Sequence, residues 1–307
     1  MAWVATATVA ALTLFVGCCG SSAADSDSAR CNQAPSTFGQ PKPFSDHNEI
    51  AVRYTCLGAA QAATLYVPQG KLPHPAVVWV HGAGEAVRLD GPAPLIRALV
   101  GSGIAVLSYD KRGVGESEGK CCPGDDGHFN LLAADVAGAV SALRKRPDVD
   151  HEQVGLLGAS QAGWVAPLAA VRSGHVAFLA LVDAPVVPYS VEKLYSHLTG
   201  EEGGGEPKPA AEIKRQLDEH EPSGVDPAVS LQALEIPALY LYGGHDLSQP
   251  TARDVVVLER LKAGGKDLSF VVYPGAGHGL LDVPPSDPHA LPTVVAWIGR
   301  HTRGAAS

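Results

Sequence analysis

A chain of 307 residues with 46% hydrophobic and 18% charged content has the material for a packed core, which excludes a wholly disordered protein. Its 23 Lys and Arg stand against 32 Asp and Glu, a net charge of −9 with no basic block. That balance argues against nucleic acid or an anionic membrane surface as the main partner.

From Met1 to Ala24 there is no charge, and residues 2–17 are almost all apolar. The run closes on small residues, so residues 1–20 read as a secretory signal, short of the ~20 apolar residues that a membrane span needs. Val16-Gly17-Cys18 resembles a bacterial lipobox, with Cys18 or Cys19 as the lipidated residue. The expectation is an exported protein, either a cell-envelope lipoprotein or secreted, touching membrane only through an N-terminal lipid anchor. The basic residues that usually precede such a run are missing. Residues 21–45, rich in Ser, Ala, Asp and Pro, read as a flexible tether, and residues 46–307 as the folded domain. Of the 6 cysteines, Cys31 and Cys56 are a candidate disulfide pair, permitted by export. Cys121 and Cys122 are adjacent, and no cysteine spacing resembles a zinc site.

The domain begins with two alternating stretches, Ile50–Cys56 and Ala63–Val67, expected as an antiparallel hairpin. Short apolar runs follow: Ala76–Val80, Ile104–Tyr109, Val154–Leu157, Ala177–Val182, Ala238–Tyr242 and Leu268–Tyr273. Runs this short and apolar on both faces suit central parallel strands covered by helices. The helical segments between and after them are Pro94–Val100, Leu131–Arg146, Gln161–Arg172, Thr251–Ala263 and Leu291–His301. Such alternation predicts an α/β fold with a mostly parallel sheet. One stretch breaks the rhythm: residues 185–235 are too long for a structureless loop and are expected to form a small helical cap.

The chemistry concentrates at the strand ends. Ser160, in Gly158-Ala159-Ser160-Gln161-Ala162-Gly163, lies between a predicted strand and a predicted helix. A serine on so sharp a turn projects its hydroxyl from the C-terminal edge of the sheet, and small neighbours let strand and helix approach. A nucleophilic serine needs a base and a carboxylate to orient that base. His278 follows the last strand and Asp246 the one before it, and parallel strands bring their C-terminal ends to one edge. Asp183, after another strand, is a rival for Asp246. His245 adjoins Asp246 but points elsewhere. An acyl-transfer site also needs oxyanion donors. The backbone N–H groups of Ala83, in His81-Gly82-Ala83-Gly84, and of Gln161 are the candidates. His81 is read as structural, holding its loop by hydrogen bonds. Gly82, Gly84 and Trp164 are expected substrate contacts, with Tyr189 and Tyr195 as further acyl-pocket candidates.

Five segments together carry a family resemblance: His81–Gly84, Asp110-Lys111-Arg112-Gly113-Val114-Gly115-Glu116-Ser117, Gly158–Gly163, Gly244–Asp246 and Gly277–Gly279. Their order, with nucleophile, acid and base as Ser, Asp, His, resembles the α/β-hydrolase superfamily. The Asp110–Ser117 run and Ser160-Gln161-Ala162-Gly163-Trp164 look like bacterial serine esterases of the prolyl-oligopeptidase and dienelactone-hydrolase branches. Across residues 48–301 the resemblance implies an eight-stranded sheet, a serine nucleophile, a histidine base, an acidic third member, and neither cofactor nor metal. The sequence departs from the pattern at Ala162, where glycine is usual, and in its short cap. Asp110, Arg112 and Gly115 are read as a salt-bridged turn bracing the oxyanion loop.

The reading is thus a serine hydrolase of small carboxylic esters, with short to medium acyl groups carried on Ser160. A histidine of ordinary pKa, ~6.5, would make activity rise through roughly pH 6–7. Peptidase, thioesterase and acyltransferase activities use the same triad and remain alternatives. A non-catalytic, surface-anchored binding protein is the reading from another class, disfavoured because all three triad types are present.

Overall fold

The computed structural model describes Cys31 and residues 35–88, 93–122, 124–203 and 205–303. The signal and lipidation expectations on residues 1–20 lie outside the described residues. Among the described residues, no helix is long and apolar enough to cross a membrane.

The chain opens with β1 (Ser36–Phe38), β2 (Lys42–Pro43), β3 (His47–Cys56) and β4 (Ala59–Pro68). β3 and β4 form the expected antiparallel hairpin, paired from His47↔Pro68 to Cys56↔Ala59. Its two-residue turn places Leu57 at φ 46° and Gly58 at φ 75°, the paired positive angles that match the twist of the flanking strands. β1 and β2 both pair antiparallel with β3, and Cys31 is disulfide-bonded to Cys56. The flexible tether expected over 21–45 is therefore corrected at its C-terminal end, where the backbone is taken into the sheet. Cys121 and Cys122 are also disulfide-bonded to each other.

Next come β5 (His74–Val80), α1 (Ala93–Gly101), β6 (Ala105–Tyr109), α2 (Asp126–Leu143), β7 (Val149–Ala159), α3 (Ala162–Ser173) and β8 (Leu179–Val182). The cap follows as α4 (Tyr189–Leu198), α5 (Ala210–Glu219) and α6 (Pro227–Ala233). The chain closes with β9 (Ala238–Gly243), α7 (Thr251–Ala263), β10 (Leu268–Tyr273) and α8 (Ala290–Arg303). α2 begins five residues before the apolar periodicity suggests, because Asp125 caps it by accepting the His128 N–H at 2.8 Å.

Among the described residues all ten strands form one sheet, ordered β1-β3-β4-β6-β5-β7-β8-β9-β10 with β2 beside β3. From β6 to β10 every neighbouring pair is parallel. The eight strands implied by the sequence are all present; β1 and β2 are additions too short to show periodicity. Alternation along β5 explains the two-sided core. Ala76, Val78 and Val80 pack with α2 and α3, while Val77 and Trp79 pack with α1 and α8.

The cap packs Val187, Val191 and Leu217 into a small cluster of its own. Asp254 of α7 anchors the chain entering it, accepting the N–H groups of Val186 and Val187 at 2.7 and 3.1 Å. The parallel register leaves the ends of β5, β7, β8, β9 and β10 on one edge, where ligands bind in open α/β sheets.

Candidate active site

Ser160 sits between the last residue of β7 and the first turn of α3, at φ +54°. A serine in that left-handed region is strained by about 1–3 kcal/mol, and surrounding structure must hold it there. Close packing does so. A Cβ on Gly158 would lie 2.5 Å from the Ala162 Cβ and 2.7 Å from Val80 O, so strand and helix meet only because that position is bare. The methyl of Ala162 occupies the space that Gly158 leaves, which is why alanine serves here. Ser160 N–H donates to Val182 O at 3.0 Å, tying the turn to β8.

The candidate base and acid meet across two adjacent loops. His278 follows β10, Asp246 follows β9, and Asp246 Oδ2 lies 2.8 Å from His278 Nδ1. Asp246 is 3% exposed, and its Oδ1 accepts the N–H groups of Ser248 and Gln249 at 2.8 and 2.9 Å. The carboxylate is thus fixed on both oxygens. Burial works against the charged form of His278. The hydrogen bond to Asp246 and the negative charges of Asp246, Asp183 and Asp282 outweigh it and raise the pKa to about 8. The expected unperturbed value is corrected accordingly. Ser160 and His278 line the same cavity, though no hydrogen bond joins them among the described residues. Such bonds commonly tighten only around substrate.

Asp183, the rival acid, does not bond the imidazole. Its Oδ2 accepts the N–H groups of Gly279 and Leu280 at 3.0 and 2.8 Å, directly after His278. Burial raises it to about 6.

Of the two oxyanion candidates, Gln161 directly follows Ser160, and Ala83 follows Gly82, where an added Cβ would lie 3.5 Å from the Ser160 Cβ. Neither the Ala83 nor the Gln161 amide donates to another group among the described residues. Gln161 stands at the N-cap of α3, where a helix leaves its amides unpaired. Lys111, 1% exposed, reaches into this loop, its Nζ 2.7 Å from Gly82 O, 2.9 Å from Gly84 O and 2.7 Å from Gln161 Oε1. His81 Nε2 lies 2.6 Å from Tyr109 O, which locks the loop to β6.

A family model described as BAAT / Acyl-CoA thioester hydrolase C terminal matches residues 137–302, and one described as Serine aminopeptidase, S33 matches residues 71–200. The chain belongs to the α/β-hydrolase superfamily. This α/β-hydrolase is 25% identical over 241 residues to acylamino-acid-releasing enzyme 1 of Oryza sativa subsp. japonica, a match covering 74% of the chain and 30% of that protein. It is 32% identical over 193 residues to an uncharacterized protein of Mycobacterium tuberculosis, covering 61% of the chain and 57% of that protein. The chain thus spans less than two thirds of the length of these relatives. In fold it is similar to acetyl xylan esterase 1 from Thermoanaerobacterium sp., with TM-score 0.65 and 18% identity over 91% of this chain and 94% of that one. The Pyrococcus horikoshii acylaminoacyl peptidase gives TM-score 0.61 and 16% identity over 83% and 41%.

In this α/β-hydrolase a cavity of about 580 Å³ opens on Ser160 and His278. Gly82 lines it, with Trp79, Pro94, Leu281 and Val283 as apolar walls and Arg97 beside them. Gly84 and Trp164, expected as substrate contacts, do not line it. Trp164 is 4% exposed and stacked on Phe129, and its indole N–H donates to Val187 O at 3.2 Å, so it belongs to the core under the cap. Tyr189 packs edge-on against the same indole. Tyr195 donates its hydroxyl to Asp246 O at 2.8 Å, which fastens the cap to the acid's loop.

The Asp110 turn has the bracing form expected of it. Asp110 pairs with Arg88, accepts the N–H groups of Arg88 and Glu116 at 2.8 Å each, and crowds the bare face of Gly115. Arg112 pairs with buried Asp135 of α2. Among the described residues two clusters have metal-ligand chemistry, Cys121 with Cys122 and His128, and Asp183 with Asp246 and His278. In the first the sulfurs are bonded to each other; in the second the acids are committed to His278 and its loop.

Proposed function

We propose that this α/β-hydrolase is a serine esterase that cleaves small carboxylic esters of short to medium acyl length through an acyl-enzyme on Ser160. The single observation that carries the reading is Ser160 held at φ +54° in a cavity it shares with an Asp246-bound His278. In the proposed cycle, Ser160 Oγ attacks the ester carbonyl carbon as its proton passes to His278 Nε2. Asp246 holds the Nδ1 proton and so fixes the tautomer. The carbonyl oxygen, now negative, is received by the Ala83 and Gln161 amides. Collapse of the tetrahedral intermediate releases the alcohol, protonated by His278. Water, activated by the same imidazole, then returns the acid and free Ser160.

The family model for acyl-CoA thioester hydrolases spans Ser160, Asp246 and His278, which favours a thioester as the second reading. The chemistry is the same, with a thiol as leaving group. A panel of p-nitrophenyl esters, thioesters and aminoacyl amides of matched acyl length separates the two and reports any peptidase activity. A fluorophosphonate probe tests the nucleophile: labelling at Ser160, lost in Ser160→Ala, supports an enzyme, and an unlabelled wild-type protein points to a binding protein. The same proposal places the enzyme at the cell envelope by a lipid on Cys18 or Cys19. Palmitate labelling that persists in a variant lacking both cysteines would sink that part.

A further inference from the structure

Lys111 is the buried cation of the site, and no carboxylate pairs with it among the described residues. Burying an ammonium group is costly unless its donors are satisfied. Here its three donors meet three acceptors, the carbonyl oxygens of Gly82 and Gly84 and the amide oxygen of Gln161. Burial pushes its pKa down to about 8, and His128 is the titratable neighbour that feels its charge. So expensive a placement calls for a use, and the acceptors show what it is.

Gly82 O and Ala83 N–H belong to one peptide unit. In a trans peptide the C=O and N–H point in opposite directions. Holding Gly82 O toward the ammonium turns the Ala83 N–H away from it. The second bond, to Gly84 O, holds the peptide unit that follows Gly84, so the loop is pinned on both sides of Ala83. The third bond clamps the side chain of Gln161, whose own amide is the other oxyanion donor. A positive charge on the carbonyl end also polarises the peptide and strengthens the donor at its other end. We propose that Lys111 is a positioning residue for the oxyanion site, orienting the Ala83 and Gln161 amides as one rigid pair. This rests on the proposed role of Ser160 and goes beyond it in assigning the device that presets the donors.

The test is Lys111→Met, which keeps the stem and removes the charge. Loss of one oriented donor lowers kcat about 10²–10³-fold with KM nearly unchanged. Affinity for a trifluoromethyl ketone, which forms the tetrahedral adduct, falls by the same factor, while affinity for the product acid holds. A merely structural role would weaken both ligands alike. A kcat within about threefold of wild type, or equal loss for both ligands, overturns the proposal. If Lys111→Met does not fold by circular dichroism, Gln161→Leu takes its place. It removes one acceptor and keeps the backbone amide, and it should cost about tenfold in kcat and in ketone affinity. Wild-type rates in Gln161→Leu overturn the proposal as well. Fluorophosphonate labelling of the wild-type protein keeps the two readings apart. An unlabelled wild type defeats the role of Ser160, whereas a labelled wild type beside an undiminished variant defeats only the role of Lys111.

Discussion

Asp183 Oδ2 holds the main chain that leaves His278, accepting the Gly279 N–H at 3.0 Å and the Leu280 N–H at 2.8 Å, while the imidazole is bonded to Asp246. Two acids thus divide one task. In the proposed mechanism Asp246 sets the tautomer and stabilises the imidazolium, and Asp183 places the loop that carries the ring. Their variants should differ in kind. Asp246→Asn should lower kcat about 10⁴-fold with little change in melting temperature, as the wrong tautomer faces the serine. Asp183→Asn keeps an acceptor for the loop amides and should cost less than about tenfold, whereas Asp183→Ala should cost more and also lower the melting temperature. Steady-state kinetics with thermal melts on the three variants checks this. Equal losses from Asp246→Asn and Asp183→Asn would make Asp183 a true second partner of the ring.

The pH profile follows from the charges gathered around His278. The group must be neutral to accept the serine proton, and its pKa stands at about 8, so activity should rise through pH 7–8 instead of 6–7. Its side chain is 32% exposed, so added salt should screen the raising charges and move the midpoint down. Lys111, also near 8, loses its charge over the same range, so the alkaline limb should overlap the rise and leave a narrow optimum as the oxyanion loop slackens. A profile of kcat/KM against pH at two ionic strengths reads both limbs. A plateau from pH 5 to 8 would remove His278 as the base.

The strand and helix pattern was readable because core periodicity and strand-end motifs agree in every β-α unit. Ser160, Asp246 and His278 could be singled out as candidates from position alone, since each directly or nearly follows a predicted strand, and the structure brings Ser160 and His278 to one cavity with His278 bonded to Asp246. Burial is what the sequence hides. Lys111 reads as one charge in a polar turn, and nothing local tells that three acceptors converge on it from two distant loops. Its signal is the Asp110–Ser117 motif around it, in which the bracing role falls to Asp110, Arg112 and Gly115 and Lys111 stands unassigned. Trp164 failed for the converse reason. Closeness in sequence to Ser160 suggested the pocket, but it lies on the first turn of α3, facing the core and Phe129. β1 and β2 have three and two residues, too few to show an alternation.

Four buried carboxyls make stability depend on pH with a definite sign. Burial raises Asp135 and Asp183 to about 6 and Glu192 and Asp254 to about 7. A carboxyl raised in the folded state binds its proton more tightly there than in the unfolded chain, where it titrates near 4. Below about pH 4 it is protonated in both states and costs nothing. As pH rises toward 7 the unfolded state gains by ionising first, so stability falls across that window. His278, raised from 6.5, adds a loss of the same sign between about pH 6.5 and 8. The melting temperature should therefore decline from pH 5 to 8. Asp254→Asn keeps an oxygen for Val186 and Val187 but cannot ionise, so it should flatten the decline. An unchanged slope in Asp254→Asn would mean that Asp254 titrates as an ordinary carboxyl.

The nucleophile itself should carry a measurable stability cost. Ser160 holds φ +54°, a region that glycine enters freely and L side chains resist. Its side chain is half-buried and lines the open cavity, so removing it leaves no void in the packed core. Two variants then separate chemistry from strain. Ser160→Ala removes the hydroxyl and keeps the Cβ, so it should abolish ester hydrolysis with an unchanged circular dichroism spectrum and a near wild-type melting temperature. Ser160→Gly should be just as inactive yet more stable than Ser160→Ala, by about 1 kcal/mol after the added backbone freedom of the unfolded glycine is counted. Urea denaturation of both variants measures the difference. If Ser160→Gly proves the less stable of the two, the elbow is not strained at this residue, and the argument that the fold holds Ser160 ready for attack loses its energetic support.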